Sequence, residues 1–186
     1  MNRAVADGGK LALICLVSAL VLGVAHTLTA PTAAAAATEG LRRDLARMAG
    51  SGSVDRESTE GVSGAVRGFH AVRDKGGRPT LYILRLAGSG YGGDLPLLAA
   101  YRTDGEILDV VLRDSRETPG MGKRAEGPGY MEGFIGRGAA KPVPVRKAML
   151  SRKALDAVTG STITFIGIGR ALEEGASFVR RQGGVK

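Results

Sequence analysis

The sequence predicts an α+β fold: a single N-terminal transmembrane helix, then one extracytoplasmic domain with a mainly antiparallel sheet and a C-terminal helix. Three observations carry this. Residues 11–29 (LALICLVSALVLGVAHTLT) are almost wholly apolar, close to the ~20 residues a helix needs to cross a hydrocarbon core. Three strand-like runs then follow one another through short turns, which favours antiparallel pairing over βαβ crossovers. Finally, residues 163–181 change to helical spacing, with Ile168, Leu172, Gly175 or Ala176, and Val179 recurring on one face.

Taken in order, residues 1–10 are short and polar and place Arg3 and Lys10 ahead of the apolar run; the next cation is Arg42. The positive-inside rule then puts the N-terminus in the cytoplasm and the domain outside the cytoplasmic (inner) membrane. The small residues of LTAPTAAAAA would also suit a signal peptidase, but the apolar core is long for a signal peptide. An uncleaved single-pass anchor is expected, and either route exports the domain. Residues 1–30 are thus read as cytoplasmic tip and anchor. Residues 31–61 are a linker with room for a short helix bearing Leu41, Leu45 and Met48. Residues 62–186 are the folded domain.

Within that domain, residues 80–87 (TLYILRLA), 95–102 (LPLLAAYR) and 106–113 (EILDVVLR) are rich in apolar and β-branched side chains. Thr103-Asp104-Gly105 joins the last two as a hairpin turn. Residues 66–72 form a weaker strand signal. The final helix should stop at Gly183-Gly184, with Arg180 and Arg181 in its last turn where cations suit the dipole.

Composition narrows the function. The chain has one cysteine, Cys15, so no internal disulfide exists. The net charge is +8, and Arg3, Asp7, Lys10 and Glu39 cancel over residues 1–40, so all of the excess lies beyond them. Such a domain suits an anionic ligand, membrane or nucleic acid. Aromatics make up 4% with no Trp, which leaves few stacking platforms for nucleic acid. Of the two histidines, His26 is in the apolar run and His70 is the lone candidate base, so a Ser–His–Asp hydrolase is not expected. Metal-ligand clusters are not expected either.

Glycine, 29 of 186 residues, gathers in short loops. GSGYGG (88–93) matches the spacing of a dinucleotide fingerprint, but a strand follows it where a helix is required. Gly122-Lys123 fails as a P-loop because Arg124 stands where Ser or Thr is needed. Ser161 fails as a nucleophile elbow because Thr159 and Ile163 occupy the glycine positions. The stretch DAVTGSTIT (156–164) is more informative. Gly160 permits a sharp turn, and Ser161 and Thr162 then offer hydroxyls at a helix start. Unpaired amides and a partial positive charge there suit a phosphate.

Asp156-Ala157-Val158-Thr159-Gly160-Ser161-Thr162 resembles the flavinylation motif D-G-x-S/T-G-A-T of the FMN-binding domain family, with Ala157 for Gly and Ser161 for Ala. Phe165 stands where a small hydroxyl residue often follows. Gly90-Tyr91-Gly92-Gly93 resembles the family's GYGG segment. RETPGMG (116–122) resembles its E-T-P-G-L-G stretch, with Met121 for Leu. Three motifs in the right order make the resemblance specific over residues 88–165.

The resemblance implies covalent FMN in phosphoester linkage to Thr162, installed by a separate flavin transferase that reads a sequence including Asp156. It implies a cofactor-binding role for Gly90, Tyr91, Gly92, Glu117, Thr118, Gly120, Thr159, Gly160 and Ser161. The single anchor and short chain are most similar to family members that serve Rnf-type ion-translocating electron-transport complexes; the related chains of the sodium-translocating NADH:quinone reductase are longer. The implied role is a redox carrier between other members of the complex, with no turnover of its own. An anchored module that binds FMN non-covalently, as a sensor or scaffold, is the alternative.

Overall fold

Five strands form one antiparallel sheet in chain order: β1 (Ser53–Val54), β2 (Val66–Arg73), β3 (Pro79–Ser89), β4 (Asp94–Arg102) and β5 (Ile107–Leu112). The computed structural model describes residues 2–113, 122–127, 129–150, 155–156 and 158–183. The long helices among the described residues are α1 (Asn2–Ala49) and α2 (Thr162–Gln182). The predicted strands and final helix are all present, so the fold is α+β with an antiparallel sheet. From β2 onward each strand connects to the next by a turn of four or five residues, whereas residues 55–65 separate β1 from β2; in the β4–β5 hairpin, Gly105 takes φ 92° and donates its N–H to the Arg102 carbonyl at 2.9 Å.

The chain divides into two units, residues 1–44 and 45–186. In the first, α1 is long and apolar enough to cross a membrane, and its apolar window is unburied. Large side chains such as Leu16, Leu20 and Leu22 are exposed all round it, the pattern of a helix whose solvent is not water. The alanine-rich residues 31–37 continue this helix with Pro31 inside it. Alanine has the highest helix propensity, which carries the helix past the proline.

In the second unit the sheet buries both faces. Tyr82 opposite Tyr101, Leu84 opposite Ala99, and Leu86 opposite Leu97 belong to the main core with Phe165, Ile168 and Leu172 of α2. On the other face, Val72, Ile83 and Leu98 are also fully buried. Residues 45–61 carry more regular structure than the linker expected there. Arg47, in the last turn of α1, pairs with Asp109 at 2.6 Å. Ser58 bridges to Phe69, and a Cβ on Gly52 would strike the Val72 side chain.

Helix α2 lies unusually close to the sheet because glycines face it. An added Cβ on Gly167 would land on the Ser89 carbonyl, and one on Gly175 would land on the Tyr101 hydroxyl. Interior glycine costs a helix about 1 kcal/mol relative to alanine; here the cost is offset by close packing. Phe69 contacts Tyr82 and Phe178, with centroids 6.2 and 5.2 Å away.

Tyr101 is buried and donates its hydroxyl to the Leu172 carbonyl at 3.1 Å. Burial raises its pKa well above the usual 10.0, since the phenolate would lose its hydration. The folded state therefore keeps a proton that the unfolded chain releases. The stabilisation is fully present below about pH 10 and is lost as pH climbs towards the folded pKa, at ~1.4 kcal/mol per pH unit. Tyr101→Phe should flatten this alkaline limb in urea titrations between pH 9 and about pH 11, at a fixed cost near 1 kcal/mol for the lost hydrogen bond.

Candidate functional site

The turn ahead of α2 is built by Gly160, whose φ of 86° a side chain would resist. It delivers Ser161 to the N-cap position and Thr162 to the first helical residue. Their hydroxyls have different fates. Ser161 is buried; its Oγ donates to the Val158 carbonyl at 3.1 Å and lies 3.1 Å from the Tyr130 hydroxyl. It does not cap the helix. Thr162 is exposed and, among the described residues, its hydroxyl has no hydrogen-bond partner. The third hydroxyl of the turn, Thr159, donates to the Leu155 carbonyl at 2.8 Å.

A neighbouring segment clamps this turn from the side. Tyr130 is buried against Ser161, and Phe134 stacks on Phe165 with centroids 5.1 Å apart and planes at 23°. Residues four apart on one segment thus meet residues four apart on the other. Phe165, a departure from the family motif, is accordingly a core residue rather than part of the site. Arg124 donates to the Thr159 carbonyl at 2.9 Å, which brings a guanidinium to the same turn.

Tyr91, Gly122, Gly160, Thr162, Ile163 and Thr164 line a cavity of about 220 Å³. Tyr91 and Ile163 are both large, apolar and more than half exposed, at 64% and 55%. Tyr91 sits at the tip of the β3–β4 hairpin, which the Gly90 N–H closes on the Gly93 carbonyl at 2.8 Å. Gly92 lies exposed on the same tip. The structure therefore brings Tyr91, Gly160, Ser161 and Thr162 together. Asp156 is exposed on the approach to the turn. Glu117, Thr118 and Gly120 fall in residues 114–121, outside the described residues, as does Ala157.

Sequence reasoning missed Tyr130, Ile163 and Gly167. The signal for Gly167 was available, since a glycine inside a helical pattern marks close approach. Tyr130 closes the glycine-rich run 126–130 and could be noticed, but its partner could not. His70 is buried and its Nδ1 lies 3.0 Å from the Asp55 carbonyl, the bond of a structural histidine. Among the described residues no three His, Cys, Asp or Glu side chains gather as a metal site.

Residues 90–177 match the FMN-binding domain family. The G subunit of the ion-translocating oxidoreductase complex of Cereibacter sphaeroides is 35% identical over 168 residues, covering 85% of this chain and 76% of the relative. The G subunit of the proton-translocating ferredoxin:NAD(+) oxidoreductase complex of Clostridium ljungdahlii is 27% identical over 165 residues, covering 89% and 85%. A sodium-translocating counterpart from Acetobacterium woodii is 36% identical over a shorter stretch of 78 residues, 41% of this chain and 37% of that relative.

Proposed function

Because the chain belongs to the FMN-binding domain family and resembles the G subunits of ion-translocating oxidoreductase complexes over most of its length, we propose that it is a membrane-anchored electron-transfer subunit with covalent FMN on Thr162. One observation carries this reading: of the three hydroxyls in the turn before and into α2, only that of Thr162 is both exposed and unengaged among the described residues. A phosphate on Thr162 would meet the head of a 21-residue helix, where amides and dipole favour an anion. Arg124 adds a cation at the same turn.

The residues around the turn fit such a group. Ser161 and Tyr130 hold the backbone still, while Tyr91 and Ile163 offer apolar surface beside the attachment point. Bound FMN would supply the redox chemistry, and the protein's part is to place it and bias its charge. A shallow, open site suits exchange of electrons with partner proteins of the complex. Gly90, Gly92, Thr159 and Gly160 shape that site in this reading, with Glu117, Thr118 and Gly120 from the adjoining loop. Asp156, exposed before the turn, is read by the flavin transferase. Residues 1–30 anchor the chain, 31–61 connect, and 62–186 form the flavin-bearing domain outside the membrane.

Mass spectrometry of the chain co-expressed with a flavin transferase tests the proposal. One FMN should be found on the peptide containing Thr162. Flavin that leaves on unfolding would instead indicate a non-covalent module. A further expectation concerns Lys123 and Arg124, both exposed near the turn. Cations here should favour the reduced, more negative flavin. Reversing both charges should lower the midpoint potential by roughly 59 mV, a tenfold change in a one-electron equilibrium. An unchanged potential in a redox titration would remove them from the flavin's surroundings.

A further inference from the structure

We propose that residues 135–147 form a docking surface for a protein whose contact face is rich in Asp and Glu. The proposal does not depend on flavin attachment. Residues 133–150 carry Arg137, Lys141, Arg146 and Lys147 and no acidic residue. Residues 45–113, which hold the sheet, are close to neutral, with nine Lys and Arg against eight Asp and Glu. The ion pairs follow the same division. Arg47, Arg73, Arg85 and Arg102 each meet a carboxylate, those of Asp109, Asp55, Glu57 and Glu106. Lys141 and Arg146 are exposed and Arg137 and Lys147 half-buried, and among the described residues none of the four makes an ion pair or a side-chain hydrogen bond. Glu106, the carboxylate beside Gly136, is already held by Arg102. A surface with one sign of charge is answered by a face of the other sign.

Folding holds the backbone of this segment in place. Gly136 donates its N–H to the Ile107 carbonyl at 2.8 Å, and Ile107 donates its own to the Arg137 carbonyl at 2.7 Å. Arg180 of α2 donates to the Gly138 carbonyl. Val143 and Pro144 are buried, and a Cβ on Gly169 would strike the Pro144 carbonyl. The segment is thus pinned to the start of β5 and to α2 while its cations stay accessible. Fixed positions suit a protein face, on which a guanidinium can take a carboxylate with both arms. A lipid surface asks only for positive charge near it. Ile135, large, apolar and 40% exposed, adds the dry contact that the centre of a protein interface needs. The Pro144 carbonyl abuts Gly169, seven residues beyond Thr162 on α2, or roughly 10 Å along the helix axis. A protein seated here lies beside the helix that bears the candidate hydroxyl.

Photocrosslinking of the full chain in membranes of its own host provides the test, with p-benzoylphenylalanine in place of Ala140, which is exposed between Arg137 and Lys141. Irradiation should join the chain to a protein, and mass spectrometry should find the bond in a peptide rich in Asp and Glu. Lys141→Glu combined with Arg146→Glu should lower the yield of that adduct about tenfold, while Lys141→Arg with Arg146→Lys stays within about twofold. Both side chains are exposed, and circular dichroism of the purified variants checks that the domain is intact. Raising salt to 0.5 M, where charges are screened beyond roughly 4 Å, should lower the yield similarly for the chain with its charges unaltered, with no effect on its fold. Adducts with lipid alone, no adduct, or a protein adduct indifferent to both charge reversal and salt would overturn the proposal.

Discussion

Thr162→Val should abolish covalent flavin while the domain stays folded, and Ser161→Ala should leave the flavin in place. Valine keeps the branched shape of threonine and removes only the hydroxyl. Thr162 is exposed at the first position of α2, so the stability change should be within about 0.5 kcal/mol. Ser161→Ala does the opposite. It removes a buried hydroxyl that serves the Val158 carbonyl and Tyr130, which should cost about 1–3 kcal/mol yet leave the exposed nucleophile untouched. Thr159→Val, which loses a bond to the Leu155 carbonyl, should also stay labelled. Ultraviolet fluorescence of denatured bands, with circular dichroism of the same samples, reads all three. Loss of flavin from a folded Ser161→Ala chain would reassign the attachment residue.

Gly167→Ala should lower stability by roughly 2–3 kcal/mol, about 10 °C in the melting temperature for a domain of this size. Alanine in place of glycine ordinarily favours a helix by about 1 kcal/mol, so the expected sign runs against propensity. The reason is the Ser89 carbonyl, which occupies the place of the new methyl group. That carbonyl is backbone in β3 and cannot swing aside. Relief would need α2 to lift from the sheet, drawing Phe165, Ile168 and Leu172 out of the core. Gly175→Ala faces the Tyr101 side chain instead and should cost less, because a ring can tilt. Calorimetry on the two variants gives the comparison; equal or higher stability for Gly167→Ala would show that the backbones are not in contact there.

Much of the fold was legible in the chain. Alternating and continuous apolar runs separated by Thr103-Asp104-Gly105 and similar turns specify local antiparallel pairing, and local pairing needs no distant information. The helical spacing of residues 163–181 marked α2 for the same reason. The site was legible only as a motif. Read in register, the motif names Thr162, but local chemistry alone does not separate it from Ser161, since both are small hydroxyl residues at a helix start.

Sequence alone determined the apolar N-terminal helix, the antiparallel α+β domain, the family and the turn that bears the candidate hydroxyls. Each of these depends on neighbours in the chain or on motifs written in order. Tertiary structure decided which hydroxyl is free, because Tyr130 lies 31 residues from the Ser161 it engages. It also decided that glycine inside α2 is a contact and not a weakness, because the Ser89 carbonyl arrives from another strand. Burial and close approach are properties of residues brought together by folding, and no local pattern encodes them.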